Sequence, residues 1–260
     1  ILIPIHNRKE LTLECLASFA KQTYTDYELV IVDDGSTDGS AETIQKSYPS
    51  AIIIKGDGNW WWAKSVNEGV RYVLGKAQHS DYVLLINNDV EFEADYLEKL
   101  VEASVAHNRA LVGSLVINFY DKNIIQDAGV RAQWYSFFFP KSDFDPSQKI
   151  NRNIDALASR GVLVPVEVFQ KIGLFSRILP HHAADYDFSM RAKRRGFTLV
   201  MSYEAVVYSK DRPGDKQFPF WQNYFSRRSS SNIPMQISFA LLDAPTMFLK
   251  LWCIILILAR

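Results

Sequence analysis

The chain has 260 residues, of which 48% are apolar and 22% charged, so it can form one large globular domain and is not a disordered chain. Lys+Arg and Asp+Glu both number 29, and the resulting zero net charge gives no indication of nucleic-acid binding. The two cysteines, Cys15 and Cys253, lie far apart in apolar stretches. They exclude a disulfide framework and a cysteine zinc site, and they are typical of a reducing compartment.

Short apolar runs alternate with segments of helical periodicity through the first half of the chain. We expect strands at 1–5, 27–32, 51–54, 82–86 and 111–117, separated by helices that begin at about residue 7 and then cover 41–47, 63–75 and 94–107. Asn7 followed by Glu10 predicts capping of the first helix. The alternation predicts an α/β fold, in which helices cover both faces of a mostly parallel sheet and ligands bind at the carboxyl ends of the strands.

The second half is less regular, and residues 119–155 are aromatic and polar by turns. Further along the chain we expect a strand at 159–165, helices at 166–172 and 188–195, and two short strands at 198–202 and 205–208.

The C-terminal stretch is apolar, and Leu251 to Ala259 carries no charge. It is shorter than a membrane-spanning helix. We expect residues 246–260 to lie on a membrane surface, to begin a spanning helix, or to pack on the domain or on a second subunit. Arg227, Arg228 and the basic cluster at 191–195 favour the membrane surface, because they suit anionic lipid headgroups. Both ends of the sequence lie inside apolar runs, so we expect them to be trimmed.

Two polar clusters directly follow predicted strands. Residues 33–38 read Asp-Asp-Gly-Ser-Thr-Asp, and carboxylates in this place accept hydrogen bonds from a base edge or a ribose. Residues 87–89 read Asn-Asn-Asp, and a carboxylate beside an amide suits a hard divalent cation that also meets phosphate oxygens. Each cluster alone is equally typical of an ordinary turn.

Four segments, taken in order, resemble the motif series of family 2 glycosyltransferases. They are residues 4–8, 33–38, 87–89 and 184–188, the last followed by Arg191 and Gly196. The resemblance extends from residue 1 to about 210 and implies the GT-A fold. It implies a nucleotide-sugar-binding half at 1–117, an acceptor and catalytic half at 118–210, and beyond them a C-terminal helical segment at 211–260.

The resemblance also implies an activity. Members of the family transfer a sugar, with inversion, from a nucleotide diphosphate-sugar to an acceptor, here a glycan or a lipid-linked acceptor of surface polysaccharide synthesis. Aromatic-rich segments such as Trp60-Trp61-Trp62 are similar to those of rhamnosyl- and galactofuranosyltransferases. We therefore expect a cytoplasmic protein at the inner face of the cytoplasmic membrane, whose oligomeric state, a homo-oligomer included, stays open.

The resemblance implies roles for single residues on the donor side. Asn88-Asp89 stands where the family has its Asp-x-Asp motif, and Asp89 is implied as the ligand to Mg²⁺ or Mn²⁺. The residues implied in binding the rest of the nucleotide sugar are Pro4, Ile5, Asn7, Asp34, Lys64, Asn67 and Asn88. Lys64 and Asn67 belong to a segment rich in Gly and Asn near the donor, where Lys64 would meet the diphosphate.

On the catalytic side, Asp185 stands at the position of the general base. Asp187 is two residues further on and cannot face the same way, so we expect it to cap the following helix.

Two positions depart from the family's pattern. Ala184 replaces a usual Glu, and Ser209 stands where a His often completes the metal site. His181 and His182 are alternative metal ligands or solvated loop residues. The departures keep open a weakly catalytic or non-catalytic membrane-associated protein that binds sugar nucleotides. A nucleotidyltransferase is a further alternative, although residues 6–8 lack the Gly-rich basic loop that it needs.

Overall fold

The computed structural model describes residues 1–211, 219–226 and 229–259. Ten strands of this part of the chain form one sheet. The strands are β1 (Leu2–Ile5), β2 (Val30–Asp33), β3 (Ile52–Lys55), β4 (Tyr82–Leu85), β5 (Val90–Glu91), β6 (Leu111–Asn118), β7 (Ile125–Asp127), β8 (Ile150–Asn151), β9 (Val162–Pro165) and β10 (Leu199–Ser209).

The sheet has the order β3-β2-β1-β4-β9-β6-β10-β5, with β7 beside β6 and β8 beside β10. Strands β1 to β4, β6 and β10 run in one direction, whereas β9 lies antiparallel between β4 and β6. The predicted mostly parallel sheet is therefore present, with one reversed strand near its centre. This reversal brings the beginning of β9 to the edge at which β4 and β6 end.

Helices cover both faces of the sheet, as predicted. They are α1 (Lys9–Phe19), α2 (Ser40–Ser47), α3 (Trp61–Leu74), α4 (Tyr96–Ala106), α5 (Val166–Ile172), α6 (Ala184–Arg194), α7 (Phe220–Phe225), α8 (Ile233–Asp243) and α9 (Met247–Leu258).

The core lies in two layers because successive strand side chains point to opposite faces. Leu2 of β1 joins the layer that contains α3, α5 and α6, whereas Ile3 joins the layer that contains α1 and α4. A strand that is buried on both faces has a continuous run of apolar residues in its sequence. Gly69 lets α3 approach β1 closely, since a Cβ atom here would collide with the Leu2 side chain.

Several predicted helix starts and strand ends are wrong. Helix α1 begins after Arg8, in the left-handed conformation with φ of 63°, and no side chain caps it, so the Asn7–Glu10 capping prediction fails. Helix α6 begins at Ala184 rather than Phe188. The two strands predicted at 198–202 and 205–208 are one strand, β10, with a register shift between Ser202 and Val206.

The C-terminal helices pack on the first layer of the core. Phe239 of α8 and Cys253 of α9 are buried in it, and Trp252 Nε1 donates to the Tyr135 carbonyl at 2.7 Å. The buried Asp243 of α8 accepts a hydrogen bond from Arg194 of α6 at 2.8 Å. Helices α8 and α9 therefore share a core with the preceding part of the chain.

The other face of α9 is apolar and exposed, and Phe248, Leu251 and Ile255 are 57% to 64% exposed. Among the described residues no helix has both the length and the hydropathy to cross a bilayer. The basic cluster at 191–195 is not a free positive patch, because Arg191, Lys193 and Arg194 form ion pairs with Asp187, Asp155 and Asp243. Arg227 and Arg228 lie outside the described residues.

Candidate active site

A cavity of about 530 Å³ opens at the carboxyl edge of the sheet. Residues that follow β1, β2, β4 and β10 meet there, and the antiparallel direction of β9 adds Ser159 and Arg160 from the segment before it. The wall includes Pro4, Ile5, His6, Arg8, Asp34, Gly58, Trp61, Trp62, Asn87, Asn88, Asp89, Ser159, Arg160, His181, His182, Asp185 and Asp211. The two polar clusters that were predicted at strand ends are thus brought together, since Asp34, Asn88 and Asp89 all line this cavity at the edge where parallel sheets bind ligands.

A second cavity, of about 500 Å³, lies at the opposite edge, where β1 and β4 begin. Its wall includes Ile1, Tyr24 and Tyr82, and none of the predicted site residues lines it. The location of the polar clusters therefore assigns the candidate site to the first cavity.

Asp34 organises the loop that precedes α3. Its Oδ1 accepts the Gly58 amide at 2.8 Å, and its Oδ2 accepts the amides of Trp60 and Trp61 at 2.9 and 3.1 Å. Trp61 needs this support, since its φ of 58° is left-handed and costly for a large side chain. The Asp34 carbonyl also accepts His6 Nδ1 at 2.6 Å. Asp34 lines the pocket, and its carboxylate orders the loop before α3.

Asp89 lies in the loop between β4 and β5 and lines the pocket wall. Its Oδ2 accepts a hydrogen bond from the Arg8 guanidinium at 3.0 Å. The neighbouring Asn88 is 7% exposed, and its amide donates to Thr12 Oγ1 at 2.8 Å. The segment after β1 and the loop between β4 and β5 are therefore joined by direct side-chain contacts.

Asp185 occupies the first turn of α6 on the same pocket wall. Its Oδ2 accepts the Ser159 amide at 3.1 Å and the Ser159 hydroxyl at 3.3 Å, and its Oδ1 accepts the Tyr186 amide at 3.0 Å. Burial raises the pKa of Asp185, and these hydrogen bonds partly oppose the rise. A fixed carboxylate with a raised pKa beside a ligand-sized pocket is suited to accept a proton.

Asp187 is buried and turned away from that wall. Its Oδ2 accepts Arg191 Nε at 3.0 Å and Nη2 at 2.9 Å, and no side chain caps α6. The prediction that Asp187 caps the helix is wrong, because an intrahelical ion pair holds its carboxylate. Arg191 continues to the carbonyls of Ile172 and Leu174, both at 2.9 Å, so the pair ties α6 to the segment after α5.

The family model described as glycosyl transferase family 2 matches residues 1–173, which is more than half of the chain. The chain belongs to glycosyltransferase family 2. An uncharacterized glycosyltransferase of Rickettsia typhi is 26% identical over 220 residues, which are 81% of this chain and 63% of that protein. The chain spans 30% and 63% of the length of the first two curated relatives that it matches.

Two solved structures share the GT-A fold of this family 2 member. GalNAc-T7, crystallised with UDP, GalNAc and Mn²⁺, superposes with a TM-score of 0.71 at 17% identity, over 93% of this chain and 47% of that one. The mannosyltransferase PcManGT of Pyrobaculum calidifontis, in complex with GDP-Man and Mn²⁺, gives a TM-score of 0.65 at 16% identity, over 99% and 72% of the two chains. At these identities the likeness establishes the fold alone.

The described residues of this family 2 member fit a metal site that the substrate completes. Within the described part of the chain no group of three or more His, Cys, Asp or Glu side chains is placed to hold an ion, and His181 and His182 therefore do not complete one. Ser209 is buried and its hydroxyl accepts the Asp211 amide at 3.2 Å. Mg²⁺ commonly binds through one or two carboxylates together with substrate phosphates and water. Asp89 fits a cation that arrives with a diphosphate.

Three of the predicted donor-binding residues do not line the pocket. Asn67 is buried, and its amide exchanges two hydrogen bonds with the Phe175 backbone at 2.9 and 3.0 Å, so it holds α3 to the chain before α6. Lys64 lies over the ring of Trp60, 4.8 Å from its centre. Asn7 accepts the Thr37 amide at 2.9 Å and shapes the loop after β1. The polar atoms of Asn67 are used inside the core, and its contact with the donor stays a prediction.

Sequence reasoning also missed residues that the fold brings to the site. Ser159 holds Asp185, and Arg160 lines the wall beside it. Asp127 at the end of β7 is buried, and the negative charge of Asp185 contributes to raising its pKa. No motif marks these residues, because they reach the site through the antiparallel pairing of β9 and β7 with their neighbours.

Proposed function

We propose that the chain is an inverting glycosyltransferase, which moves a sugar from a nucleotide diphosphate-sugar to a hydroxyl of a glycan or lipid-linked acceptor. The observation that carries the proposal is the placement of Asp34, Asp89 and Asp185 on one pocket wall at the carboxyl edge of the sheet. Family membership and the nucleotide ligands of the two structural neighbours support a nucleotide-sugar donor.

The donor would lie across the loops that follow β1, β2 and β4. Pro4, Ile5 and the loop ordered by Asp34 form the part of the wall suited to the nucleoside. Asn88 and Asp89 stand at the part suited to the diphosphate, where a divalent cation, when bound, would stabilise negative charge on the leaving group. Asp89 would hold that cation.

The acceptor hydroxyl is a weak nucleophile and must lose its proton as it attacks. Asp185 is placed to take this proton, and its raised pKa makes the carboxylate a stronger base than an ordinary aspartate. Ser159 and the Tyr186 amide fix the direction of the carboxylate. In a single inverting displacement the acceptor oxygen forms the new bond as the sugar–phosphate bond breaks, so one base is sufficient.

We also propose that the exposed face of α9 lies on a membrane surface. The face is formed by Phe248, Leu251 and Ile255, while Leu249 and Cys253 on the other side pack on the domain. A lipid surface covers such a face and suits a lipid-linked acceptor, and the protein would then be peripheral on the cytoplasmic side.

The proposed function is tested with a panel of UDP-, GDP- and TDP-sugars. A donor present at 100 times its Kd stabilises the folded state by about 2.7 kcal/mol, so we expect one member of the panel to raise Tm clearly. The same donor should release its nucleoside diphosphate more rapidly with Mn²⁺ than without it. Binding of the donor without release of its nucleoside diphosphate at any Mn²⁺ concentration would favour a non-catalytic binding protein. Release of pyrophosphate from a nucleoside triphosphate and a sugar phosphate would identify a nucleotidyltransferase.

A further inference from the structure

Arg8 reaches Asp89 through an unusual backbone conformation. Asn7 and Arg8 have φ angles of 60° and 63°, a left-handed conformation that is unfavourable for residues other than glycine. Two such residues in succession persist only where the surrounding contacts hold them. Here they turn the Arg8 side chain from the end of β1 toward the end of β4.

A closed circuit of hydrogen bonds holds this arrangement. The Arg8 carbonyl accepts both the amide and the hydroxyl of Thr12 at 3.0 Å. The Thr12 hydroxyl accepts the Asn88 amide at 2.8 Å, and Asp89, next in the chain, accepts the Arg8 guanidinium at 3.0 Å. The position of Arg8 is therefore coupled to both residues that stand in place of the family's metal motif.

The electrostatic surroundings make Arg8 the counter-ion of Asp89. The Asp89 side chain is only 9% exposed, and a buried carboxylate without a cation is strongly unfavourable. Lys210 is nearby, but its ammonium group binds Glu14 and Glu91. Arg160, the other arginine of the described pocket wall, donates to Gln126 at 3.2 Å.

We propose that Arg8 occupies the cation position of Asp89 in the donor-free protein and exchanges with the divalent cation when the diphosphate binds. The proposal rests on the proposed function, and it adds an order of binding to it. The Arg8 side chain is 48% exposed, so the guanidinium can leave Asp89 without entering the core, and it then faces the diphosphate. Guanidinium groups bind phosphate through paired hydrogen bonds.

The exchange couples metal to donor. A metal ion alone must displace Arg8, which then loses its ion pair, whereas a metal with a diphosphate supplies Arg8 with a new partner. Coupling of this kind is reciprocal, so the nucleotide must strengthen metal binding by the same factor by which the metal strengthens nucleotide binding.

The test is a titration with Mn²⁺ alone, followed by electron paramagnetic resonance, which needs neither donor nor turnover. We expect Arg8→Gln to bind Mn²⁺ about tenfold more tightly than the wild type, within the usual range of coupling between linked ligands. Arg8→Lys should lie between the two. Lys9→Gln is the matched control, because it removes the same charge one residue away and should leave Mn²⁺ affinity unchanged. Adding Asp89→Asn to Arg8→Gln should abolish the gain.

The same proteins are then titrated with UDP, GDP and TDP in the absence of metal. Arg8→Gln should weaken the binding of whichever nucleotide the wild type binds, and should reduce the factor by which Mn²⁺ strengthens it. The exchange is overturned if Arg8→Gln and Arg8→Lys both bind Mn²⁺ no more tightly than the wild type, or if the gain survives Asp89→Asn. Tighter Mn²⁺ binding in a protein that binds none of the three nucleotides would support the ion competition while contradicting the proposed function.

Discussion

Asp127 and Asp185 show how burial changes the chemistry of single residues at this site. The pKa of Asp127 is raised to about 6, mainly by burial; the Gly129 amide and Arg160 oppose the rise, and the negative charge of Asp185 adds to it. The Gly129 amide donates to Asp127 Oδ1 at 2.8 Å. Asp127 is therefore a buried carboxylate whose ionisation is opposed by a neighbouring carboxylate.

Asp127→Asn should raise stability at neutral pH. Since the folded pKa of Asp127 lies above its usual value of 3.8, the folded state binds more protons between pH 4 and 6, and its stability falls as pH rises through that range. The loss approaches about 3 kcal/mol above pH 6, because one pKa unit corresponds to about 1.4 kcal/mol. Asparagine keeps the acceptor for Gly129 and removes the charge.

Urea unfolding between pH 4 and 8 measures this effect. We expect Asp127→Asn to have the higher free energy of unfolding at pH 8 and the difference to vanish toward pH 4. Asp121→Asn, at an exposed position in the turn between β6 and β7, is the control and should shift stability little at any pH. A variant that is less stable than the wild type at pH 8 would contradict the assignment.

Hydrophobic periodicity predicted which segments form helices and strands, whereas local backbone geometry determines the residue at which each of them begins. The helix predicted at 166–172 and the strand predicted at 111–117 are confirmed to within one residue. The start of α6 was missed because Ala183, with φ of 61°, makes the turn without a capping side chain. The reversal of β9 was not predictable from its apolar residues, since a buried strand has the same pattern in either direction.

The exposed face of α9 makes the membrane proposal testable without disturbing the core. Changing Phe248, Leu251 and Ile255 together to Ser removes apolar side chains that are each worth about 1.5–3 kcal/mol when buried. Sedimentation with anionic lipid vesicles should show at least a tenfold lower bound fraction for this variant, because three such losses exceed 1.4 kcal/mol.

Val105→Ser, at an exposed position on α4, is the control and should bind vesicles as the wild type does. Truncation of the tail is a poorer test, because Leu249, Cys253 and Ile257 are buried and deletion would open the core. Unchanged vesicle binding by the triple variant would contradict the membrane proposal. Conversion of a wild-type dimer into a monomer would instead show that a second copy covers the face.

At the scale of the whole molecule, the site is a product of sheet topology. The sequence predicted polar residues after β2 and β4 at the edge where ligands bind, because parallel strands end at one edge. It did not predict the contact between Arg8 and Asp89, which are 81 residues apart and follow no spacing rule. The family resemblance assigned Asn67 to the donor. A sequence motif does not distinguish an amide that binds a ligand from a buried amide that bonds to the backbone, as Asn67 does.

The proposed function requires that the pocket bind a nucleotide sugar and that Asp185 act as the general base of the transfer. The most direct measurement compares Asp185→Asn with Asp187→Asn in affinity for the donor found in the panel and in its turnover. Asp185→Asn should bind the donor normally and lose about 10²–10⁴-fold in turnover. Asp187→Asn should keep turnover and lower Tm, because Arg191 loses its ion-pair partner. Near-normal turnover by Asp185→Asn would contradict the assignment of Asp185 as the base. Loss of turnover in a folded Asp187→Asn protein would also contradict it.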